Sequence, residues 1–311
     1  MSAREAIVVV QKGDHSLGYY DFQTGAELDR VAIDPFPHEF AISPDGRLAY
    51  MAHFGVALAE DEGPGGNTVS VVDIQARRRV GTIDCGEYRR PHDVVCDARG
   101  SLYILSEGTG NLLVVNDPRS GRFDHVIPTR GRGSHMVSVT RDGSLAFCSN
   151  MESNTVTAVF PKDPRRPGVV LPAGKHPEGS VFDEAEERLF VVNRESEEIS
   201  IIDVKRLSVR GSFRTPPGPV RICRDPRVGL LVALYHGCGL AIIDPDETSR
   251  QRVVSLSNKA ISVGYHPASQ TALLSTHSHE VCLVDVAAEK FVRSVPTRSD
   301  PDPVAVVSLD H

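Results

Sequence analysis

The chain has 311 residues, of which 40% are apolar and 24% charged, so a sizeable hydrophobic core is within reach. Its net charge of −7 and pI near 5.9 argue against a nucleic-acid binder, whose footprint is basic. No apolar run approaches the ~20 residues needed to span a bilayer, and the absence of Trp excludes repeats signed by a Trp-Asp pair.

From the N-terminus, MSAREAIVVVQKG has five consecutive apolar residues after a charged start and no small-residue cleavage site. It reads as a first strand rather than a signal peptide, which gives a cytoplasmic expectation. SLGYYDF and ELDRVAI follow as two more strands. Then a short strand recurs along the chain: PHEFAIS (37–43), PHDVVCD (91–97), SHMVSVT (134–140), PEGSVFD (177–183), PVRICRD (219–225), AISVGYH (260–266) and PVAVVSL (303–309). Its second position holds His38, His92, His135, Glu178, Val220, Ile261 and Val304, at steps of 54, 43, 43, 42, 41 and 43 residues. A fixed period of this size built from short strands predicts a β-propeller with one four-stranded blade per repeat.

Each copy continues with a turn such as Pro44-Asp45-Gly46, a second strand such as RLAYMAH (47–53) or RLFVVNR (188–194), and a third such as TVSVVDI (68–74) or EISIIDV (198–204). Near-continuous Val/Ile/Leu runs suit strands covered on both faces. The first three strands of the chain match strands two to four of a blade, and PVAVVSL matches strand one. The expectation is therefore an all-β, seven-bladed propeller over residues 1–311, a single domain whose two ends complete one blade and leave no open sheet edge. Residues 55–67, GVALAEDEGPGGN, lengthen the first complete copy and form a loop insertion on the channel face that could fold over the channel as a lid, or be a tolerated surface insertion.

SPDGRLAYMAHF…NTVSVVDIQARRRVGTIDCG and RLFVVNRESEEISIIDVKRLSVRGSF resemble the YVTN-type repeat of YncE-like and lactonase-like seven-bladed propellers, although the tetrapeptide YVTN itself is absent and VVNR (191–194) is its nearest match. The resemblance covers the whole chain. It implies the fold specifically and function only broadly, because sugar lactonases, virginiamycin-type lyases and non-catalytic binding propellers share the repeat.

Three His and one Glu at the same place in four successive copies would gather round one axis. Imidazole nitrogens with a carboxylate are the donor set of a divalent transition metal such as Zn, Fe, Mn, Ni or Cu, so His38, His92, His135 and Glu178 are the candidate ligands. The alternative is that these imidazoles only hydrogen-bond neighbouring blades. The ends of the second strands open on the same face and bring His53, Glu107, Asn150, Arg194, His236 and His277. Glu107 is the candidate general base, with His236 and His277 as further catalytic candidates. His53, Asn150 and Arg194 are substrate-binding candidates. Basic residues in the loops that lead into strand one, Arg89, Arg90, Arg130 and Arg132 foremost, would draw a small anionic molecule to the mouth.

No GxSxG, GxGxxG or Walker loop is present. The six cysteines, none in a CxxC pair, read as buried reduced thiols, with Cys238 alone outside a strand core. Three functions follow: a metal-assisted lactone or ester hydrolase or ring-opening lyase, a non-catalytic propeller that binds a ligand or protein, or a redox metalloprotein. No nucleic-acid or membrane partner is expected, and the chain would be a monomer or a weak homo-oligomer.

Overall fold

A computed structural model describes residues 4–58 and 61–310 of the chain. Seven four-stranded antiparallel sheets follow one another around a ring, six of them formed by consecutive strands. Among the described residues the only helical segments are two short 3₁₀ turns, Lys12–Asp14 and Pro118–Ser120. The seventh sheet pairs the C-terminal strand Pro301–Leu309 with the N-terminal strand Arg4–Gln11, from Arg4 opposite Leu309 to Gln11 opposite Pro301. We number this closing sheet blade one and count onward along the chain. Closure by both termini is thus as expected. Of the insertion, residues 59 and 60 lie outside the described residues.

Alternation explains the ring. In blade one, Ala6, Val8 and Val10 pack toward blade two, while Ile7 and Val9 pack toward blade seven. The same division makes seven hydrophobic clusters, one in each interface between adjacent blades. A period-two pattern with both faces apolar reads as an unbroken Val/Ile/Leu run, and blade-on-blade burial is what makes such a strand stable.

The inner strands share one irregularity. Pro91 and Asp93 oppose Ser106 and Leu105, so His92 is an extra residue on its strand. The same two-against-one bulge recurs at the starts of the inner strands of blades two, four, five, six and one. The isolated bridge between Ala260 and Thr276 shows the same one-residue excess in blade seven. A bulge re-aims the side chains it carries. It also corrects the sequence register: the last inner strand starts at Pro301, so Asp302 rather than Val304 holds the second position. Val304 is core, between blades seven and one.

Removing residues 301–311 takes the inner strand from blade one and opens the ring to an unpaired edge. The truncated chain should lack the cooperative melting transition of the full chain in a circular dichroism melt.

Candidate functional site

The bulged second positions run round the axis as Asp302, His38, His92, His135, Glu178, Val220 and Ile261. The third positions beneath them include Glu39, Asp93 and Arg221. Six of the seven second-strand ends are followed by Lys12, Phe54, Glu107, Arg194, Tyr235 and His277, which ring the mouth.

Glu39, Arg221, Glu178, His135, Glu107 and Arg194 form one network. The Nδ1 of His135 lies 2.7 Å from Glu107 Oε2 and its Nε2 lies 3.3 Å from Glu178 Oε2. Arg221 donates from Nη1 to that same Glu178 oxygen at 2.7 Å, and from Nε and Nη2 to Glu39 Oε1 at 2.9 and 2.7 Å. The other Glu178 oxygen meets Arg194 Nη1 at 3.0 Å and His176 Nε2 at 3.5 Å. On the far side of the ring Lys12 Nζ pairs with Asp302 Oδ2 at 2.8 Å. The three imidazoles stand side by side, with ring centroids 4.6 Å apart for His38 and His92 and 3.6 Å for His92 and His135. Phe54 walls off His38 and His92.

Burial and charge sort the protonation states. Burial holds His38 and His92 well below the usual histidine range, so both are neutral. Burial also opposes a charge on His135, but Glu178 and Glu107 outweigh it and raise its pKa to about 9. Glu178 is pulled well below the carboxylate range, because His135, Arg221 and Arg194 overcome its desolvation. Desolvation and the neighbouring Glu39 push Asp93 up to about 7. Glu39 is itself raised by burial, with Arg221 acting against the rise. Two nitrogens, His38 Nε2 and His92 Nδ1, are sealed from solvent and have no hydrogen-bond partner.

One ligand atom from each of His92, Glu107 and His135 lies within 4.8 Å of the others, a candidate metal triad. The fold therefore brings together the predicted His92, His135 and Glu107 and sets Glu178 against the outer nitrogen of His135. His38 adjoins His92. Arg194 joins through Glu178 and lines a neighbouring cleft of about 490 Å³ with Glu195, Glu197, Gly218, Tyr235 and His236. His236 and His277 flank Tyr235 across the mouth, at ring distances of 5.2 and 5.4 Å.

Two other expected contacts are turned elsewhere. His53 and Asn150 are buried inside their blades, where His53 Nε2 is 2.8 Å from Ser70 Oγ and Asn150 Nδ2 donates to Thr157 Oγ1 at 3.0 Å. Of the loop arginines, Arg130 donates to the Gly168 carbonyl. Arg90 braces the insertion through the carbonyls of Asp61 and Gly63 and lies over the Phe54 ring. Arg132 is exposed beside Glu152, and Arg89 is half-buried.

Sequence reasoning missed Arg221, Asp302, Lys12 and His176. The displaced final register hid Asp302. The bulge, which brings third positions to the axis as well as second ones, hid Arg221.

No family model matches the chain, and no curated protein matches it. Solved structures that share its fold include the following two. The periplasmic gluconolactonase PpgL of Pseudomonas aeruginosa superposes with a TM-score of 0.79 at 15% identity, over 98% of this chain and 99% of that one. The dihydro-heme d1 dehydrogenase NirN, in complex with DHE, gives 0.68 at 15% identity, over 96% of this chain and 74% of that one. Likeness at this identity speaks to architecture.

His53 yields a test of its blade role. Burial lowers its pKa from 6.5 to about 4. The unfolded chain takes up the proton first, so stability is full above about pH 6.5 and falls as pH drops toward 4, by about 3 kcal/mol in all. Asn150 and Asn193 hold the equivalent place in blades four and five and donate to Thr157 and Ser200. His53→Asn should therefore fold and flatten this acid-side loss in chemical denaturation measured between pH 4 and 7.

Proposed function

We propose that the protein is an enzyme of the propeller mouth that opens a small lactone or ester, by hydrolysis or elimination, with a divalent transition metal held by His92, His135 and Glu107. The observation that carries the reading is the approach of those three ligand groups to within 4.8 Å. His92 offers a ready donor, whereas His135, charged between its two carboxylates, would give up a proton to ligate. His92 is neutral and its Nδ1 lacks a partner, so it can ligate without first losing a proton. His135 turns Nδ1 toward Glu107 and Nε2 toward Glu178. A carboxylate on the outer nitrogen of a ligating histidine is the usual second contact that fixes the ring's tautomer and orientation. On this reading Glu178 orients a ligand rather than serving as one, and Glu107 is a ligand rather than the free base.

A bound ion would polarise the substrate carbonyl and lower the pKa of a bound water toward ~7. The protein's own groups do the rest. Glu178, kept ionised by Arg221 and Arg194, holds His135 in place. The Phe54 ring packs against both His38 and His92 and limits water beside them. Exposed Arg132, Lys175 and Lys259, in loops that lead into inner strands, favour a substrate bearing a carboxylate or phosphate.

Protein purified without chelator should carry close to one transition-metal ion per chain by elemental analysis. His92→Ala should lower that occupancy at least tenfold and reduce hydrolysis of D-glucono-δ-lactone and γ-butyrolactone in parallel. Metal-free protein that neither takes up Zn²⁺ nor turns over either lactone would leave a non-catalytic binding propeller as the better reading.

A further inference from the structure

Glu178 Oε2 is shared. It receives Arg221 Nη1 at 2.7 Å and faces His135 Nε2 at 3.3 Å, so the guanidinium decides where the oxygen beside His135 sits. Arg221 is in turn anchored at its other end. Its Nε and Nη2 both reach Glu39 Oε1, which belongs to blade two, while Arg221 belongs to blade six and Glu178 to blade five. The side chain therefore spans the channel beneath the imidazoles, only 9% exposed.

The local sequence makes room for it. Position 179, the residue after Glu178, is glycine, and a Cβ there would lie 3.3 Å from Arg221 Cα and 3.4 Å from its Cδ. Any larger residue would press on the arginine at the point where it enters the channel. A planar guanidinium can serve two carboxylates from fixed directions, whereas an ammonium acts as a single mobile point charge.

We propose that Arg221 is the positioning residue of this site: by bridging Glu39 and Glu178 across the channel it fixes the carboxylate that orients His135. The part that concerns metal affinity rests on the ligand set proposed above. The part that concerns His135 does not.

Two readouts on the intact protein separate them. In metal-free protein with ¹⁵N-labelled histidine, Arg221→Lys should shift the His135 Nε2 resonance, with the His53 signals, in a blade interior, unmoved. In a Co²⁺ titration followed by the visible spectrum, the same variant should bind at least tenfold more weakly than wild type, the range expected when an outer partner of a ligand is disturbed. Gly179→Ala keeps every charge and crowds the arginine; it should change both readouts in the same direction by less, and it serves if Arg221→Lys does not fold. Unchanged His135 signals in either folded variant would overturn the proposal. A wild type that binds no Co²⁺ would sink the metal reading and leave the His135 signals to decide the role of Arg221.

Discussion

A guanidinium sealed in the axis of a propeller is tolerable only if carboxylates meet it, and this constraint organises the centre of the molecule. Taking a charge out of water costs several kcal/mol even after relaxation, and the loss is recovered only with close geometry and full hydrogen bonding. Arg221 has that geometry, with Glu39 on one side and Glu178 on the other. Glu178 is held ionised as a result, and His135 is charged in turn because Glu178 and Glu107 flank it. For stability alone, well-packed apolar residues could fill the same space. A polar chain that runs from Glu39 to the mouth makes more sense as the support of a site.

The bulge delivers these groups to one place. A regular inner strand would alternate its side chains between the two neighbouring blades, as Ile7 and Val8 do. One extra residue at each strand start interrupts the alternation, so His38 and Glu39, or His92 and Asp93, both leave the hydrophobic interfaces. The second positions then fall into two groups. From Asp302 to Glu178 the second positions are ionisable, whereas Val220 and Ile261 in blades six and seven are apolar, and Val220 packs in the cluster that Tyr235 joins. The ionisable second positions therefore occupy blades one to five, while Val220 of blade six is buried in the hydrophobic cluster it shares with blade seven.

Much of this was legible in the sequence because the blade is a local unit. The spacing of PHEFAIS, PHDVVCD and SHMVSVT gave blade count, strand order and the histidine ring, since each feature lies within one repeat. Glu107 at a second-strand end was legible for the same reason. What failed was of two kinds. Asp302 was lost to a two-residue slip in the last copy, because PDP and PVAV both look like a strand start until the pairing of Gln11 with Pro301 settles the register. The partnership of Arg221 with Glu39 joins residues 182 apart in sequence across the channel, and no periodicity within a repeat encodes a contact between opposite blades. His53 and Asn150, read from sequence as equivalents of Glu107, align instead with Ser106, one residue earlier and inside the sheet, where Ser70 and Thr157 take up their polar atoms.

The most direct test of the account is anomalous diffraction from crystals grown with Zn²⁺ or Co²⁺, collected on both sides of the metal's absorption edge. The account predicts a single strong peak at the mouth, bonded to His92, His135 and Glu107, with Glu178 on the outer nitrogen of His135 and Arg221 still joined to Glu39. A mouth without a peak, or a peak ligated by other residues while His135 stays bound between its two carboxylates, would contradict it.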